Sequence, residues 1–142
     1  MEVSQVRKRL KMAIDGSRQR AAKRRERVAE AQRAYEQFLT EIAIPMAKQL
    51  ANAMKVEGYG FTVFTPGDGL RLAADRGRDD FIDLTLDSTG ERPEVMARVS
   101  QQRGSRTLDE EMPVKRGAHP DEISEDEFLD FLLGALEPWF ER

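Results

Sequence analysis

The sequence predicts an α+β protein with a long N-terminal α-helix, a four-stranded antiparallel β-meander and a C-terminal α-helix packed on the sheet. Three observations carry this. Apolar residues recur at helical spacing through residues 3–56, the spacing changes to strict alternation between 61 and 99, and a capped apolar run closes the sequence from residue 124.

The first element is read from its stripe. At 100° per residue, Val3, Val6, Leu10, Ala13, Ile14, Ser17, Ala21, Val28, Ala31, Tyr35, Phe38, Leu39, Ile42, Met46, Leu50 and Ala53 fall in a sector roughly 120° wide. Ala is frequent and β-branched residues are few, which favours helix. Kinks are expected near Gly16 and near Pro45, where a backbone donor is lost. Arg24 falls inside the apolar sector and weakens packing there, whereas Pro45 lies off it. Glu57-Gly58 supplies the stop, because Gly58 can take a left-handed conformation.

Four strands follow. Phe61 and Val63, then Leu70, Leu72 and Ala74, then Ile82, Leu84 and Leu86, then Val95, Ala97 and Val99 each alternate with other residues. Thr65-Pro66-Gly67-Asp68-Gly69, Asp75-Arg76-Gly77-Arg78 and Asp87-Ser88-Thr89-Gly90 provide the turns. Short connections make the sheet antiparallel with one wet face, on which Arg71, Asp83, Thr85 and Arg98 can pair across strands. Residues 101–122 read as loop, with a short fifth strand near 105–109 as the alternative. Ser124 and Glu127 form a capping box that opens a final helix rich in Phe, Leu and Trp139. Pro138 is expected to end or bend it.

Size then implies a partner. A helix over residues 3–56 is about 80 Å long, against a sheet about 20 Å across. The stripe from Val3 to about Tyr35 therefore needs a surface from elsewhere, since an isolated helix is marginal in water. The expected organisation is an arm at 1–40 and a compact α+β domain at 41–142. The expected oligomer interface comprises Val3, Val6, Leu10, Ile14, Ala21, Val28, Ala31, Tyr35, Phe38 and Ile42, in a coiled-coil homodimer or higher homo-oligomer. Its heptad frame shifts between Ser17 and Val28, which makes the seam weak. The alternative is a turn back at Asp15-Gly16-Ser17 that buries the stripe internally.

Charge is divided unevenly. Residues 1–33 hold 11 Lys/Arg and 4 Asp/Glu, a net +7, and residues 34–142 hold a net −10 within the overall −3. A basic arm on an acidic body suits a polyanionic partner or contacts between unlike ends of two copies. Arg7, Lys11, Arg18, Lys23, Arg24, Arg25 and Arg27 are the candidate polyanion contacts. No aromatics are interleaved among them to stack on bases.

Catalytic chemistry is thin. There is no Cys and a single histidine, His119 in a Gly-Ala-His-Pro loop, so the usual zinc sites and thiol chemistry are excluded. Asp83 and Asp87 could share a strand face and hold Mg²⁺ or Ca²⁺ through oxygen, but an acidic wet face is the ordinary reading. Gly67-Asp68-Gly69 lacks the Lys-Ser/Thr of a phosphate loop and reads as a hairpin turn. No cofactor or metal is expected. No signal-peptide-like or membrane-spanning run is present, and absent cysteine points to a cytoplasmic setting. The sequence thus predicts a non-catalytic oligomeric adaptor that binds a protein partner. Its rivals are a sequence-independent nucleic-acid-associated protein and a metal-dependent enzyme.

Overall fold

The computed structural model describes residues 1–67 and 69–142. Asp68, within the expected first turn, lies outside the described residues. The chain divides into two units, Met1–Glu30 and Ala31–Arg142. No described helix is long and apolar enough to cross a membrane.

Helix α1 spans Val3–Phe38. Helical structure continues through Gly16, so the hairpin alternative at Asp15-Gly16-Ser17 does not form. A lone interior glycine costs a helix only about 1 kcal/mol and does not by itself end one. After α1, Leu39–Ala43 form one π-helical turn, and α2 continues over Ile44–Val56. Pro45 accounts for the wide turn. It has no N–H to donate, and in an α-helix its ring would collide with the carbonyl of Glu41, four residues back. Widening the turn relieves the collision, and Ile44 N–H donates to Leu39 O, five residues back.

The π turn shifts the helix's phase. Beyond Leu39 the periodicity directs Ile42, Met46, Leu50 and Ala53 at the core. The buried residues are instead Ala43, Ala47, Ala51 and Met54, each one position later. Ile42, Met46 and Leu50 are partly buried at the core's edge, and Ala53 is exposed. Gly58 ends the helix at φ 93°, a left-handed conformation that a Cβ would strain.

Strands β1 (Phe61–Phe64), β2 (Leu70–Ala74), β3 (Phe81–Asp87), β4 (Glu94–Arg103) and β5 (Arg106–Pro113) form one antiparallel meander in sequence order. The sheet has five strands, not the four expected. β5 pairs with β4 from Arg103↔Arg106 to Met96↔Pro113, across a two-residue Gly104-Ser105 turn with Gly104 at φ 61°. It is an edge strand carrying Arg106, Asp109, Glu110 and Glu111, and most of its residues are exposed. Charge on an edge deters unwanted pairing, and the same charge hides the strand from an apolar-alternation test.

On the dry face Val63, Leu72, Ile82 and Val99 form one cross-strand row, and Leu70, Leu84 and Ala97 the next. Helix α3 (Glu125–Phe140) is capped as its sequence requires: Ser124 Oγ accepts from Glu127 N and Glu127 Oε1 accepts from Ser124 N, both at 3.1 Å. It runs through Pro138. Its buried residues Phe128, Leu132, Leu136 and Trp139 join the core. Phe128 meets Phe38 edge-to-face at 5.4 Å, and Trp139 meets Phe61 at 5.6 Å. Each fully buried side chain of this kind contributes about 1.5–3 kcal/mol by burial.

Candidate interaction surfaces

In the first unit the apolar stripe is open. Val3 is 73% exposed, Leu10 58%, Val6 49%, Ile14 40% and Val28 36%. Ala21 is partly exposed. The remaining expected interface positions have other surroundings. Ala31, Tyr35 and Phe38 are buried in the second unit's own core, and Ile42 packs against that core. The open stretch therefore ends at Val28. Over residues 3–28 it runs about 38 Å along one helix face.

Basic residues border both edges of this stripe. Helical spacing puts Arg7, Lys11, Arg18 and Arg25 along one edge, and Arg9, Arg20, Lys23 and Arg27 along the other. Arg24 lies within the stripe. All are exposed, and none forms an ion pair among the described residues. Arg20, Lys23, Arg24 and Arg27 surround one shallow depression.

The sheet's wet face is acidic, and both of its arginines are held in ion pairs within it. The cross-strand row reads Phe64, Arg71, Asp83, Arg98, Glu111. Arg71 donates to both Asp83 carboxylate oxygens at 2.6 and 2.8 Å, and Arg98 to both Asp109 oxygens at 2.7 and 2.9 Å. Both guanidinium groups also lie over the Phe81 ring, at 4.0 and 5.5 Å from its centroid. Phe81 is 7% exposed although it faces outward, because the arginine side chains cover it. The hydrogen bond from Arg98 holds the Asp109 carboxyl below its ordinary pKa. These charges serve one another and stiffen the face.

The two aspartates considered for a metal have separate duties. Asp83 holds Arg71, while Asp87 Oδ1 accepts from Thr89 N and Thr89 Oγ1 at 3.0 and 2.6 Å and shapes the β3–β4 turn. Among the described residues no group of three or more His, Asp or Glu is placed to hold a metal ion. His119 Nδ1 lies 2.6 Å from Asp121 Oδ1, and its backbone N–H donates to Glu122 Oε1, so it shapes its own loop.

One buried charge lay outside the sequence reading. Asp80 is 5% exposed. It accepts from Gln102 N at 2.9 Å and from Arg142 Nη2 at 2.9 Å. Arg142 also donates to Gln102 O and lies over the Trp139 ring, fastening the end of α3 to the start of β3 and the end of β4. Burial pushes the Asp80 carboxyl up, but the bonds from Arg142 and Gln102 outweigh it and hold the group below its ordinary 3.8. A carboxylate depressed in the folded state adds stability above its unfolded pKa, and that stability is lost as pH falls through the folded value. Asp80→Asn is therefore expected to cost about 1–3 kcal/mol at neutral pH. The gap from wild type should narrow as urea midpoints are measured from about pH 5 to about pH 2.5. A gap independent of pH would contradict this account.

Comparison with protein-family models, with curated proteins and with solved structures gives no match.

Proposed function

We propose that this protein is a non-catalytic, self-associating adaptor, and that residues 3–28 of α1 are its assembly element. The supporting observation is the exposed row Val3, Val6, Leu10, Ile14 and Val28 on one helix face. Helices are stabilised chiefly by packing an apolar face rather than by propensity, and contiguous exposed apolar surface marks association sites. A second copy is the simplest partner.

Removing residues 1–28 tests the reading. The cut spares Ala31 and Tyr35, which the body's core needs. Light scattering should give the full chain a mass above that of a monomer. The truncated chain should be monomeric and keep a cooperative thermal transition. An unchanged mass would defeat the proposal.

A second reading has the same helix bind nucleic acid without sequence preference. The cluster of Arg20, Lys23, Arg24 and Arg27 favours it. Such binding loses affinity steeply with salt. Absence of any affinity for duplex DNA at low salt would remove this reading and leave the first intact.

A further inference from the structure

An assembly helix that is basic along both edges is a poor match for another copy of itself. Side by side, two such helices set cation against cation, in a segment that already carries +7 over residues 1–33. The complementary surface lies in the second unit. A groove of about 330 Å³ separates β5 from α3. Val99, Met112, Phe131 and Ala135 give it an apolar lining, and Glu110 on β5 and Asp130 on α3 give it acidic edges. It is open at Gly134, where an added Cβ would meet nothing within 4 Å. The edge strand's dry side also leaves Leu108 43% exposed.

We propose that this groove receives the first turns of α1, residues 3–14, from a second copy. The proposal rests on the reading that this helix drives assembly, and it names the surface on which the helix lands. Val3, Val6, Leu10 and Ile14 follow the i, i+3, i+7, i+11 spacing of a helix laid in an apolar groove. Arg7 and Lys11 on one edge and Arg9 on the other meet the carboxylates of Glu110 and Asp130. From Val3 to Ile14 the helix runs about 16 Å, against about 12 Å for the Asp130–Pro138 wall. The charge balance agrees, since residues 34–142 carry −10. Each copy supplies one helix and one groove, so reciprocal exchange closes a two-fold dimer.

Gly134→Arg tests this without endangering the fold. The new side chain enters open groove, adds a cation where the helix brings its own, and improves helix propensity over glycine. Light scattering and sedimentation of the full chain should then show a monomer with Tm at or above the wild type's. E110K with D130K should weaken association at least tenfold, and R7E with K11E added to that chain should restore it. Wild-type association should weaken as salt rises. The groove assignment is overturned if Gly134→Arg and the E110K/D130K variant both assemble like the wild type while removal of residues 1–28 abolishes assembly. Association that strengthens with salt overturns it equally, because it is the signature of an arm-to-arm seam. A mass unaffected by removing residues 1–28 instead defeats the underlying reading of the helix.

Discussion

Leu84→Asp is expected to leave the second unit unfolded at room temperature, whereas Thr85→Asp, one residue along, should change stability by less than about 1 kcal/mol. Leu84 is 2% exposed in the central strand β3 and sits between Leu70 and Ala97 in the dry-face row. Removing a buried leucine costs about 2–5 kcal/mol. Placing a carboxylate there with no partner adds several more, or forces it to protonate. Together these approach the whole stability of an ordinary domain, about 5–15 kcal/mol. Thr85 points to the opposite face and is exposed, so its aspartate stays hydrated and meets only modest repulsion from Asp83 and Asp87. Trp139, the only tryptophan and 4% exposed, provides the readout. Its fluorescence should shift to the red in Leu84→Asp and stay at the wild-type position in Thr85→Asp. Equal shifts in the two variants would mean that β3 does not have one dry and one wet face.

That one-residue contrast shows why the sheet was legible. Each of β1 to β4 has one dry side, and burial on one side imposes a period of two that no other regular structure produces. The capping box at Ser124 was equally legible, since its two hydrogen bonds depend on residues three apart. β5 carries no such pattern because, of its dry-side residues, Leu108 and Glu110 stay exposed and only Met112 packs against the core. Its one local signal was the Gly104-Ser105 pair, a two-residue hairpin turn between polar stretches. The Asp80–Arg142 clamp had no local signal at all. Its partners are 62 positions apart, and Asp79-Asp80 before a strand reads as an ordinary turn. The covering of Phe81 was hidden for a similar reason, since it depends on arginines from two neighbouring strands. For the interaction surfaces, the stripe from Val3 to Val28 was visible because it lies on one helix. The groove was not, because Met112 and Glu110 come from one segment and Phe131 and Ala135 from another.

The π turn explains the remaining discrepancy and carries a second large expected effect. The sequence pairs a large with a small apolar residue at Ile42-Ala43, Met46-Ala47 and Leu50-Ala51. Two adjacent helix faces are therefore apolar, and periodicity alone favours the one with larger side chains. Pro45 selects the other. The extra residue in its preceding turn moves the alanines to the centre of the contact and the larger side chains to its edge. Because a π turn is an α-helix with one residue inserted, removing a residue from that turn should restore regular helix without changing the downstream face. Deletion of exposed Thr40 together with Pro45→Ala, which returns the missing donor, is expected to keep the second unit folded at close to wild-type stability. Deletion of exposed Lys48, in the regular helix α2, should instead rotate Ala51 and Met54 by about 100° out of the core. Its cost should exceed about 3 kcal/mol, that of losing one large buried side chain. Urea unfolding followed by Trp139 fluorescence separates the two outcomes. Equal destabilisation by the two deletions would show that the π turn is required for more than accommodating Pro45.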